Sequence, residues 1–115
     1  MKSQPFEAQV RAQPGRAIVD LFGEINAFAE SALNAAYSEA ERSDPATILF
    51  NFSQVTYINS TGIALIVSLL AQARKNHRQM VIYGLSEHYV EIFQITRLSD
   101  FMSIFSDEES ALKQG

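Results

Sequence analysis

Apolar and polar residues alternate along Phe6-Glu7-Ala8-Gln9-Val10, and a mostly apolar run resumes at Ala17-Ile18-Val19-Asp20-Leu21-Phe22, with Gln13-Pro14-Gly15-Arg16 between them. A period of two marks a strand with one covered face, and Pro followed by Gly suits a type II turn in which Gly supplies the positive φ. The start of the chain therefore predicts a β-hairpin. Gly23-Glu24-Ile25-Asn26 then leads into a segment rich in Ala, Glu and Leu that runs to about Arg42. Phe28, Ala32, Ala36 and Ala40 recur there at helical spacing, and Asn26 stands where an N-cap belongs.

Ser43-Asp44-Pro45 closes that helix, and Thr47-Ile48-Leu49-Phe50-Asn51-Phe52 reads as a buried strand. The chain next changes abruptly, from a strand-like run ending near Ile58 to an apolar helical run that follows Gly62 and continues to about Lys75. Gln79-Met80-Val81-Ile82-Tyr83-Gly84 predicts another strand. A shorter amphipathic helix follows, capped by Ser86, with Val90, Phe93 and Leu98 turned inward. Phe101-Met102-Ser103-Ile104-Phe105 is the candidate last strand. Ser106 and Glu109 have the spacing of a capping box, so a final helix opens there, with an acidic, solvated first turn. No internal repeat or low-complexity linker interrupts the pattern. Strands alternating with helices after a hairpin predict one α/β domain over residues 1–115, a mixed sheet of about five strands packed with about four helices.

Composition agrees with one domain: 115 residues, 47% of them hydrophobic. Nine Lys+Arg against thirteen Asp+Glu give a net charge of -4, and the basic residues are scattered apart from Arg74-Lys75-Asn76-His77-Arg78, so nucleic acid is not the expected partner. The absence of cysteine removes disulfides, thiolate nucleophiles and thiolate metal sites, and fits a reducing compartment. Met1-Lys2-Ser3-Gln4-Pro5 lacks the apolar core of a signal peptide. The longest nearly apolar run, residues 62–71, is about half of a bilayer span. A soluble cytoplasmic protein without direct membrane insertion is expected.

Candidate chemistry is sparse. There is no Gly-x-Ser-x-Gly elbow and no phosphate loop ending in Gly-Lys-Ser/Thr. His77 and His88 are isolated and expected on the surface rather than on a metal, so no catalytic residue, metal site or cofactor is predicted. The informative feature is the pair Ser60-Thr61 at the strand-to-helix junction. Their hydroxyls suit two roles. They can cap the helix, and they can accept a phosphate, which would meet free N–H groups and the positive end of the helix dipole. Gly62 allows a tight helix start, or the close approach of a partner's active site. Thr61, Ala64, Ser68 and Ala71 form a row of small residues on one helical face, suited to close packing or to a shallow docking surface.

The segment Tyr57-Ile58-Asn59-Ser60-Thr61-Gly62-Ile63-Ala64-Leu65 resembles the signature of the STAS domain, the fold of bacterial anti-sigma factor antagonists. There an aspartate, a serine, a serine or threonine and a glycine precede an apolar helix. Three further blocks are similar to the family's pattern, in the same order. They are Leu21-Phe22-Gly23-Glu24-Ile25-Asn26, the strand and turn from Ile48 to Ile58, and the segment from Ile82-Tyr83-Gly84-Leu85-Ser86 to Leu98. Asn26 and Asn59 stand where the family usually has aspartate.

The resemblance implies a non-enzymatic switch. A serine-kinase anti-sigma factor would be bound by the unphosphorylated chain and released once it had phosphorylated Ser60 or, as second choice, Thr61; a serine phosphatase would reset the switch. Asn26, Asn59 and Gly62 would support the switch, with Ile63, Ala64 and Ser68 forming the partner surface. The two asparagines keep a second reading open, a STAS scaffold or accessory subunit in a signalling or transport assembly without covalent switching. The oligomeric state stays open as well.

Overall fold

The computed structural model describes residues 5–114; residues 1–4, read above for a signal sequence, lie outside the described residues. Strands β1 (Glu7–Gln13) and β2 (Arg16–Ile25) form the hairpin, with Gly15 at φ +79° in its turn. A 3₁₀ turn (Ala27–Ala29) leads into α1 (Glu30–Glu41), followed by β3 (Thr47–Ile58), α2 (Ser60–Lys75), β4 (Gln79–Tyr83) and α3 (Glu87–Ile95). A second 3₁₀ turn (Leu98–Asp100), β5 (Ser103–Phe105) and α4 (Glu108–Gln114) complete it. The mixed sheet has the order β1-β2-β3-β4-β5, antiparallel in the first pair and parallel in the others.

This order determines where the helices lie. From β2 to β5 each parallel strand is added on the same side of the last, and right-handed crossovers then put every connecting helix on one face. Leu33 and Tyr37 of α1, Ile66 and Leu69 of α2 and Phe93 of α3 accordingly share one buried cluster with Val19, Phe50 and Ile82 of the sheet. The opposite face holds a smaller core of Ile18, Leu49, Val81 and Tyr83, covered by Ala111 and Leu112 of α4.

Charged groups bind α4 to that face. The Arg11 guanidinium donates to both Asp20 oxygens (2.7 and 2.9 Å) and to Glu108 Oε1 (2.7 Å), and the Tyr83 hydroxyl donates to the same Glu108 oxygen at 2.5 Å. Asn51 Nδ2 donates to Asp20 Oδ1 at 2.8 Å. Burial by itself raises the Asp20 carboxyl, but the hydrogen bonds from Arg11 and Asn51 outweigh it and leave the group below its ordinary value. Glu108 is likewise lowered, by Arg11 first and Tyr83 second, and the Tyr83 phenol is raised by burial and by Glu108.

Several expectations change in detail. β2 continues to Ile25, past the end that the apolar pattern gave, because it pairs there with the later half of β3, which ends at Ile58 as the sequence indicates: Phe22↔Gln54, Glu24↔Tyr57, Ile25↔Ile58, with two register shifts. On α1 the buried row is Leu33, Ala36, Tyr37 and Ala40, whereas Phe28 and Ala32 are exposed. Phe28 belongs to the preceding 3₁₀ turn, which sets α1 in a different phase, and a row spaced by four drifts around a helix of 3.6 residues per turn. β5 is shorter than predicted, beginning only at Ser103. The predicted capping box at Ser106 is replaced by Asp107, whose Oδ1 accepts from Ser110 N at 2.8 Å. Nor is the first turn of α4 simply solvated, since Glu108 is held by Arg11 and Tyr83.

Candidate functional site

The carboxyl ends of β2 and β3 lie side by side through the pair Ile25↔Ile58, and each runs directly into a helical turn. Asparagine makes both transitions. Asn26 leaves the strand in extended conformation and its Oδ1 accepts from Phe28 N at 2.9 Å, opening the 3₁₀ turn. Asn59, also extended, accepts from Gly62 N at 2.8 Å and caps α2. A further bond joins the two: Asn59 N donates to Ile25 O at 3.2 Å. The fold thus brings Asn26 and Asn59, the two departures from the aspartate pattern, to one corner. Both work there through a side-chain oxygen that aspartate would also supply.

Asn59 as cap changes the role of Ser60 and Thr61. They are the first two residues of α2 rather than its caps, both are exposed, and their hydroxyls take no part in the capping bond. They sit at the positive end of a sixteen-residue helix, beside backbone N–H groups of its first turn. A phosphate on either hydroxyl would be matched by this environment rather than repelled by it.

Gly62 turns inward. It is buried, and a Cβ there would overlap the Ile25 carbonyl oxygen and stand 2.8 Å from its carbon and 3.0 Å from Ile58 Cγ2. Its missing side chain lets α2 start against β2, which is the tight helix start of the two readings the sequence offered. Of the expected partner surface, Ala64 and Ser68 are exposed, while Ile63 is half-buried and packs against the main core. Thr61, Ala64, Ser68 and Ala71 all face outward, so this small-residue row is an open surface and not a packing seam within the chain.

Two aromatics flank this corner, Phe28, which the pattern placed in the α1 row, and Tyr57, which it left unmarked. Phe28 is 95% exposed on the 3₁₀ turn that Asn26 opens, and Tyr57 is 53% exposed two residues before Asn59. Tyr57 precedes the inward Ile58, so strand alternation alone would have placed it outside. Phe28 had no comparable signal. His77 and His88 are both exposed, and no helix among the described residues is long and apolar enough to cross a membrane.

The model of the STAS domain family matches residues 7–111, and the chain belongs to that family. It is 28% identical over 88 residues to the anti-sigma-B factor antagonist of Listeria monocytogenes, covering 75% of this chain and 77% of that one. The crystal structure of an anti-sigma factor antagonist from Mycobacterium paratuberculosis superposes with a TM-score of 0.82 at 18% identity, over 98% of this chain and 97% of the other. The phosphorylated form of the Bacillus cell fate determinant SpoIIAA gives a TM-score of 0.71 at 22% identity, over 93% and 97%. At these identities the two structures establish the shared fold.

Proposed function

We propose that this chain is an anti-sigma factor antagonist, a non-enzymatic protein whose hold on a serine-kinase anti-sigma factor is switched by phosphorylation of Ser60. The observation that carries this reading is the division of labour at the start of α2. Asn59 makes the capping bond, leaving Ser60 and Thr61 exposed beside the helix's positive end. The similarity to anti-sigma-B factor antagonists supports the same reading. The open row Ala64, Ser68 and Ala71, with Phe28 and Tyr57 nearby in the chain's fold, supplies a low surface with aromatic margins on which a partner docks. A serine phosphatase resets the switch.

The test is intact mass after incubation with the anti-sigma kinase of the same host and ATP. One phosphate is expected on the wild-type chain, and Ser60→Ala should remove most of it. Persistent labelling of the Ser60→Ala, Thr61→Ala double variant would move the chemistry elsewhere.

A second reading, a scaffold without covalent switching, is favoured by Asn26 and Asn59. Each fulfils its capping role without the charge that the family's aspartate brings. A wild-type chain that binds the anti-sigma factor and takes no phosphate would select that reading.

A further inference from the structure

β3 outruns its neighbour. β4 pairs with it only from Thr47↔Gln79 to Asn51↔Tyr83, and the chain then turns away at Gly84 (φ +81°). A Cβ on Gly84 would stand 2.7 Å from Ser53 N, so this turn lies directly against β3. Beyond it, no strand among the described residues pairs with 52–58 on the β4 side. Extended backbone directs the N–H and C=O of one residue to the same side, and each such group, where buried, needs a partner.

At the end of this stretch the partner is a side chain. The Tyr89 hydroxyl, on α3, accepts from Ile58 N at 2.8 Å and donates to Ile58 O at 3.2 Å, so one oxygen fills the ladder position of an absent strand. Tyr89 is half-buried against the main core, and Phe93, one turn further along α3, is fully buried and anchors that helix. The next residue after Ile58 is the cap itself. Asn59 bonds Ile25 O through its N–H, Ile63 N through its carbonyl and Gly62 N through its side chain. Ser60 and Thr61 are therefore presented by a frame that Tyr89 grips from one side and β2 from the other.

We propose that Tyr89 positions the phosphoacceptor: its hydroxyl fixes the Ile58 peptide and so the placement of the Ser60 oxygen, which attacks the γ-phosphorus of kinase-bound ATP as ADP leaves and the serine proton passes to the kinase's base. The proposal rests on the phosphoacceptor reading above. Phosphoryl transfer demands close alignment of the attacking oxygen, so a small displacement costs rate without costing docking.

Tyr89→Phe keeps the ring and removes only the hydroxyl. Ile58 amide exchange should accelerate at least about tenfold, while the amides of Ile48 and Phe50 in the sheet centre stay unchanged. With the host kinase purified by its labelling of the wild-type chain, kcat for phosphorylation should fall about tenfold while KM stays within about twofold. Thr96→Val, which cuts the 2.7 Å bond from Thr96 Oγ1 to Ile92 O at the far end of α3, should leave kcat as it is.

An unchanged kcat in Tyr89→Phe, or an equal fall in Thr96→Val, overturns the proposal. An Ile58 amide that exchanges in the wild type as fast as free peptide overturns it without any variant. Absence of phosphate on the wild-type chain overturns the phosphoacceptor reading and this role together. Labelled wild type with normal Tyr89→Phe kinetics overturns the role of Tyr89 alone.

Discussion

A methyl group at position 62 has nowhere to go, because it would meet the Ile25 carbonyl, which is fixed by its own bond to Asn59 N. Relief requires α2 to move away from β2, and overpacking of this kind costs about 1–3 kcal/mol. Gly62→Ala should therefore lower the thermal midpoint by several degrees, about 4 °C for each kcal/mol in a domain of this size. An unshifted melting curve would mean that the corner yields freely. At the neighbouring cap the expectations divide by chemistry. Asn59→Ala forfeits the bond to Gly62 N and should cost about 1 kcal/mol. Asn59→Asp keeps an acceptor and adds a negative charge beside the helix's positive end, so it should match or slightly exceed the wild type, by about 0.3–1 kcal/mol at low salt. A denaturant series on the three proteins separates these outcomes, and an Asn59→Asp variant as weak as Asn59→Ala would show that the amide nitrogen matters too.

Among the elements, α4 joins an apolar contact, through Ala111 and Leu112, to a charged one through Glu108. Asp20 and Glu108 both lie below their ordinary values of 3.8 and 4.5 in the folded chain. A carboxylate with a depressed folded value contributes stability that is complete above its unfolded value and lost as the pH falls through the folded one. The α4 contacts should thus be at full strength above about pH 5 and weaken progressively below about pH 4.5. From pH 6 to pH 3, the protection of the Ala111 and Leu112 amides, taken relative to the intrinsic exchange rate at each pH, should fall before protection in the main core does. Glu108→Gln, which keeps the shape and loses the charge, should flatten much of that dependence; an unaltered acid profile would place the control at Asp20 alone. This network also marks the boundary of what the residue pattern disclosed. The hairpin, the order of elements, the start of α2 and the caps at Asn26 and Ser86 were legible, because turn chemistry and hydrophobic period act locally. The extra length of β2 was not, since its end is a strand only by pairing with the later half of β3. The phase of α1 was hidden by the 3₁₀ turn before it, and the grip of Tyr89 on Ile58 joins residues that no local rule connects. At the site itself, the sequence located the two hydroxyls and offered them both capping and phosphate acceptance, of which the cap falls to Asn59; it took Phe28 for a member of the α1 row and left Tyr57 unmarked.

At the scale of the whole molecule, the main core lies on the helical face of the sheet while Ser60 and Thr61 lie at its carboxyl rim, outside that core. A phosphate on Ser60 adds about -1.5 to -2 charge at this rim. Within the free domain it faces the N–H groups and positive pole of α2, so the fold should accept it with little change in stability. In the complex proposed above, a partner closing over the exposed Ala64 and Ser68 would enclose the same group, and an unpaired charge buried in an interface costs several kcal/mol. A loss of about 3 kcal/mol weakens binding by more than a hundredfold. Phosphorylation should therefore release the anti-sigma factor while leaving the domain folded. Calorimetric titration of that partner with the phosphorylated and unphosphorylated chain measures the first half of the claim, and circular dichroism melts of the two forms measure the second. If both forms bind equally well, the charge is not excluded from the interface and the scaffold reading prevails. If the phosphorylated form melts early, release works through unfolding, and the helix N-terminus is not the accommodating site its geometry makes it.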